Sequence, residues 1–126
     1  MDLLDTQQTV IDLLLSIRSR RIQSPAFAND TRWAIALFVL ESSDLGKTID
    51  ISGLAHVIGK ARNTIAFQVS ALEEAGYLIS TADKNDQRRK IVAPTETLKT
   101  EFENLTKSIT SDITKASYKI QLSITR

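Results

Sequence analysis

The hydrophobic periodicity of this chain predicts a mainly α fold with one small β-hairpin and a helical extension at each end. Three observations carry that expectation. In "TIDISGLAHVIGKARNTIAFQVSALEEAGYL" two short helical patterns are broken at Gly59 and Lys60, which is the layout of a helix-turn-helix. Two β-prone runs, "YLISTA" and "RKIVA", flank the turn residues "DKNDQ". From Thr95 onward Leu98, Phe102, Leu105, Ile109, Ile113, Ala116, Ile120 and Ile124 form one uninterrupted helical seam without Gly or Pro. The resulting order (helix, helix, helix-turn-helix, hairpin, long helix) is that of a winged helix-turn-helix.

Each element has a local cause. Leu3, Leu4, Val10, Ile11, Leu14, Leu15 and Ile17 give the first helix a broad apolar stripe, and Pro25 ends it or lies just beyond. In "NDTRWAIALFVLESSDLG" Asn29 or Asp30 can cap a second helix and Gly46 follows its end. Its unbroken apolar run from Trp33 to Leu40 predicts a central pillar buried on most sides. Asp50 can cap the third helix, whose inward residues are Leu54, Ala55 and Ile58. The fourth begins near Arg62, buries Ile65, Val69 and Leu72, and is closed by Gly76. The expected organisation is a single domain: an N-terminal helix over 1–23, a winged core over 29–95 and a C-terminal helix over 96–126.

Composition narrows the class. A length of 126 residues suits one domain with a real core. The formal net charge is only +1, so an electrostatic argument must rest on local placement. The absence of cysteine excludes disulfides, thiolate metal sites and thiol redox sensing. His56 is the single histidine, which leaves no zinc site and one candidate base. With no cysteine nucleophile and no glycine-rich phosphate loop, enzymatic activity and a cofactor are not expected. No apolar run approaches the ~18 residues a membrane span needs. "MDLLDTQQTV" carries acids where a secretory signal carries bases, so the expected location is the cytosol.

The candidate interface follows from placement. If Ile65, Val69 and Leu72 face inward, a 100° step turns Asn63, Phe67 and Ser70 outward, with Thr64 beside them. Asn63 suits a bidentate bond to adenine, and Phe67 suits contact with base edges or sugars, unless it folds back on a neighbouring element. Lys60 and Arg62 flank the helix start, where free N–H groups favour phosphate. In the hairpin, Arg88 can enter a minor groove while Asp86 holds its guanidinium. Arg89 and Lys90 are then expected to contact phosphates. Arg18, Arg20 and Arg21 read as a solvated helix end facing its dipole, and Glu73, Glu74, Glu101 and Glu103 as solvated charge. The terminal seam is ~40 Å long at 1.5 Å per residue, more than a winged core can cover. It is therefore expected to pack with the first helix and with a second copy of both, placing two recognition helices ~34 Å apart on duplex DNA.

The stretch "DISGLAHVIGKARNTIAFQVSALEEAGYLISTADKNDQRRKIVAPT" resembles the winged-helix core of the MarR family of transcriptional regulators. Leu54-Ala55, Gly59, Thr64-Ile65, Leu72-Glu73 and Gly76 match, and the family's Asp-x-Arg wing motif falls on Asp86-Gln87-Arg88. "IRSRR" and "NDTRWAIALF" also look like the upstream part of some small MarR-like proteins. The resemblance implies a homodimeric DNA-binding regulator, chiefly a repressor that occludes a promoter, with Arg88 in the minor groove. It also implies a small aromatic or phenolic effector between the dimerisation helices and the DNA-binding lobes. The sequence departs from the family in four ways. Ala61 stands where a capping Ser is usual, at a cost on the order of 1 kcal/mol. Pro94-Thr95 replaces Leu-Thr, Leu98 stands near a common glycine position, and the C-terminal part is shorter than the usual two-helix ending. Two other functions compete: a winged-helix protein-interaction module that has lost DNA binding, and a non-regulatory replication or partition factor.

Overall fold

Four caps and turns set the architecture. The Asn29 side chain accepts from the Arg32 N–H at 2.8 Å and starts the central helix. Asp50 Oδ1 accepts from the Gly53 N–H at 2.7 Å and starts the next. Gly59 ends that one in the left-handed region, at φ 77°. At Gly76, φ 86°, the Gly76 N–H donates to Glu73 O and the Tyr77 N–H to Leu72 O, a Schellman ending that turns the chain from helix into sheet across residues 75–77.

The computed structural model describes residues 3–125; residues 1, 2 and 126 of the expected terminal helices lie outside the described residues. The elements are α1 (Leu3–Arg21), a 3-10 turn (Pro25–Phe27), α2 (Asp30–Asp44), β1 (Ile49–Asp50), α3 (Ile51–Ile58), α4 (Arg62–Glu74), β2 (Leu78–Ala82), β3 (Lys90–Pro94) and α5 (Glu96–Thr125). The sheet is antiparallel in the order β1-β3-β2, with Ile49 opposite Val92 and Ser80 opposite Val92 on the other side. The mainly α winged-helix class is as expected. The strand β1 was not expected, because two residues carry no alternation to read.

The core forms where α2 meets the helix-turn-helix, the sheet and the start of α5. Ile35, Ala36, Val39 and Leu40 of α2 join Leu54, Ile65, Val69, Leu72, Leu78, Val92, Leu98 and Leu105 in one buried cluster. Trp33 and Phe38 are only partly buried at its margin, so α2 is covered on fewer sides than its run suggests. Phe27 fills the junction of three elements, edge-on to Trp33 at 5.5 Å and to Phe102 at 6.1 Å.

The terminal helices pair with each other as expected, but the apolar stripe of α1 does not make the contact. α1 runs along α5, but none of its residues is fully buried. Asp112 of α5 fixes its rotation. That carboxylate takes Arg20 Nε at 2.6 Å, Arg20 Nη2 at 2.9 Å and the Ser16 hydroxyl at 3.0 Å. Thr9, Leu13 and Ser16 consequently line the α5 side with Ala116. The apolar stripe points away from α5: Leu3, Val10, Ile11, Leu14 and Leu15 are all exposed, Leu14 and Leu15 by 60% and 59%. Ile113, Leu122 and Ile124 of α5 are exposed as well.

Two arginines expected to be solvated are structural instead. Arg20 belongs to the Asp112 pair. Arg21 lies 5.6 Å from the Trp33 ring centroid and donates to Asp30 at 2.8 Å, pinning α1 to the start of α2. Of the three, only Arg18 is classed as exposed.

Candidate nucleic-acid interface

The recognition helix α4 presents its faces as the periodicity predicts. Ile65, Val69 and Leu72 are buried, whereas Asn63, Thr64, Phe67 and Ser70 are exposed. Phe67 does not fold back: 70% of it is exposed. Its N-cap, Ala61, makes no side-chain hydrogen bond, so the first turn of α4 keeps free N–H groups. Lys60 and Arg62 flank those groups, both exposed, and Arg62 Nε donates to the Ser52 hydroxyl at 3.2 Å.

The wing is the β2–β3 hairpin with its tip at residues 83–89. Asp86 Oδ1 accepts from the Arg88 N–H at 3.1 Å and from Arg88 Nε at 3.3 Å. The Arg88 side chain is 95% exposed, so this contact orients it while leaving it open to a partner. Arg89 is placed elsewhere. Its Nε donates to Asp50 Oδ2 at 2.6 Å and its Nη1 to Asp83 Oδ2 at 3.2 Å, so its guanidinium is engaged within the protein while the side chain stays partly exposed. Lys90 is exposed. Wing and α4 enclose a cleft of about 480 Å³ lined by Ser52, Arg62, Ala66, Arg88 and Lys90, with Asp50, Asp86 and Arg89 at its floor and rim. The structure thus brings Arg62, Asp86, Arg88 and Arg89 to one cleft, beside the outward side of α4 that carries Asn63, Thr64 and Phe67.

A second feature connects this lobe to the terminal helices. Glu101 of α5 is half-buried, not solvated as expected; it accepts from the Ser24 hydroxyl at 2.6 Å and from the Tyr77 hydroxyl at 3.1 Å. Burial, followed by the Glu101 charge, holds the Tyr77 phenol above its ordinary value. A shallow cleft of about 240 Å³ opens beside it, walled by Arg20, Ser24, Phe27, Glu101, Asn104 and Leu105.

Three carboxylates gain from ion pairing. Burial alone pushes Asp50 up, but hydrogen bonds from Arg89 and the Gly53 N–H outweigh it and leave Asp50 low. The Asn85 N–H and then Arg89 lower Asp83, and Arg20 lowers Asp112. For acids lowered by folding, the stabilisation is complete above the unfolded value of about 3.9 and is lost as pH falls through the folded values. Thermal unfolding followed by circular dichroism is therefore expected to show a midpoint that drops steeply below about pH 4. In the triple variant Asp50→Asn, Asp83→Asn, Asp112→Asn that acid-side drop is expected to be shallower; an unchanged profile would show that other groups control it.

No family model matches the chain, and no curated protein does. Solved structures do. The chain is similar to RV1404 from Mycobacterium tuberculosis, with a TM-score of 0.74, 16% identity, and coverage of 91% of this chain and 76% of that one. It is similar to NadR in complex with 4-hydroxyphenylacetate, with a TM-score of 0.68, 23% identity, and the same two coverages of 91% and 76%. A MarR-family transcriptional regulator from Rhodococcus sp. RHA1 matches with a TM-score of 0.62 and 17% identity, over 86% of this chain and 73% of that one. The fold is therefore a winged helix-turn-helix flanked by helices. In particular, it is the MarR-like form of that fold.

Proposed function

We propose that this protein is a homodimeric, sequence-specific regulator of transcription that binds double-stranded DNA and represses by occluding a promoter. The observation that carries this reading is the cleft between wing and α4, where Arg62, Arg88 and Lys90 converge beside an exposed recognition face. Asn63, Thr64 and Phe67 meet base edges in the major groove, Arg88 with Asp86 behind it enters the minor groove, and Lys60 and Arg62 take phosphates. Arg89 belongs to the same interface, from behind the wing. The dimer rests on the outward stripe of α1, a surface too apolar for a lone protomer. Among the described residues no helix is long and apolar enough to cross a membrane, which agrees with a cytoplasmic regulator.

An effector site belongs to this reading too. The cleft beside Glu101 offers a carboxylate acceptor next to Asn104 and Leu105, which suits a small phenolic hydroxyl. NadR holds 4-hydroxyphenylacetate, which supports a ligand of that class here.

Selection from a pool of random duplexes, with affinity followed against salt, tests the proposal. Recovery of an inverted repeat is expected. Arg88→Ala should weaken binding to it about tenfold or more and lower the salt slope by about 0.9. Asn63→Ala should relax preference at one base position by roughly 1–3 kcal/mol. If both variants bind the selected site as wild type does, the docking arrangement is wrong. No duplex binding even at low salt would favour a protein-interaction module built around Phe67.

A further inference from the structure

The wing tip needs an anchor beyond the backbone pairing of the sheet. β1 pairs with β3 only at Ile49–Val92 and Asp50–Ile91. Past Ile91 the hairpin has two strands, and past Lys90 it has only its own turn, where the Asp83 N–H donates to Arg89 O and the Arg89 N–H to Asp86 O. A two-stranded ribbon of this kind is free to twist and bend relative to the helices beneath it. Among the described residues, one side-chain hydrogen bond leads from residues 83–90 out of the hairpin: Arg89 Nε to Asp50 Oδ2 at 2.6 Å, on β1 where Asp50 also caps α3.

The geometry points to Arg89 as a positioning residue, clamped between Asp50 and Asp83, that sets the wing at a fixed distance from the recognition helix. Its guanidinium has its partners inside the protein. Asp50 is suited to hold it because its two oxygens do different jobs. Oδ1 caps α3 through the Gly53 N–H, and Oδ2 receives Arg89. One carboxylate therefore fastens the wing to the start of the helix-turn-helix. Asp83 is also divided: Oδ1 accepts from the Asn85 N–H to shape the turn, and Oδ2 takes Arg89 Nη1 at 3.2 Å. The clamp explains why two acids stand at a surface read as DNA-facing. They oppose a polyanion, yet they hold Arg89 and, through the next residue, the exposed Arg88. This inference rests on the DNA-binding reading for its functional consequence; the clamp itself is a property of the free protein.

The charge arithmetic supplies the test. Asp50→Asn and Asp83→Asn each remove one negative charge from the interface, and a simple electrostatic surface would then bind DNA more tightly. Both substitutions keep a side-chain acceptor for the Gly53 or Asn85 N–H, so cap and turn survive. The expected result is the opposite of simple electrostatics. Each variant should bind the selected duplex about tenfold more weakly, with its salt slope unchanged. In the DNA-free protein the Asp83 and Arg89 amides should exchange with solvent several-fold faster. Arg89→Ala should behave likewise, whereas Arg88→Ala should lower the salt slope and leave wing exchange alone. Tighter or unchanged binding by both Asp→Asn variants overturns the proposal, and so do unchanged wing amides. If wild type binds no duplex, the DNA reading fails by itself. The exchange measurement then still decides whether Arg89 holds the wing.

Discussion

Replacing Leu14 and Leu15 together with Asp is expected to abolish the proposed dimer and to weaken binding to the selected inverted repeat by a hundredfold or more. Both side chains are mostly exposed on α1, so the protomer loses little core on substitution. What it loses is the exposed apolar surface on which the proposed second copy would pack. Leu4, Ile11, Leu15 and Ile22 are spaced seven, four and seven apart, and Leu3, Val10 and Leu14 run beside them, so the surface is a stripe built for another helix. Linking two half-site readers raises affinity by roughly 10²–10⁴ through effective concentration, and a monomer forfeits that gain. Sedimentation velocity gives the mass, and titration of the selected duplex gives the affinity. A double variant that still sediments as a dimer would move the interface elsewhere.

Phe27→Ala should be the most destabilising single change, by about 3–5 kcal/mol. The ring is 1% exposed and sits in the turn between α1 and α2, edge-on to Trp33 and Phe102. Truncation leaves a cavity where three elements meet, none of which can close over it without moving α5. Urea denaturation at one fixed protein concentration measures the effect, because subunit association contributes to apparent stability. A loss below about 1 kcal/mol would mean that the turn collapses around the gap.

The sequence discloses the parts of this fold that depend on neighbours in the chain. Ile65, Val69 and Leu72 declare the buried side of α4 by spacing alone, and that fixes Asn63, Thr64 and Phe67 as its outward side. Asn29 and Asp50 are readable as caps, and Gly59 and Gly76 as stops, because capping chemistry acts within four residues. Arg20, Arg21, Arg89 and Glu101 look alike in sequence, all polar residues on or beside polar stretches. Their roles come from partners such as Asp112 for Arg20, 92 residues away, and Asp50 for Arg89, 39 away. No local pattern encodes such pairs. α1 misleads for a different reason: its most apolar side faces out, so the rule that apolar means inward fails for it within one protomer. The surplus of hydrophobic surface on the terminal helices was legible in the sequence, but the side on which it lies was not.

The empty cap at Ala61 leaves stability unclaimed at the start of α4. A Ser at that position would satisfy an N–H in the first turn of α4 and add about 1 kcal/mol to the free protein. The same hydroxyl would occupy a donor that an arriving phosphate can otherwise meet directly, between Lys60 and Arg62. Directed evolution for heat resistance should therefore find position 61 early, and the variants it collects there would be sturdier proteins with a hydroxyl standing between Lys60 and Arg62.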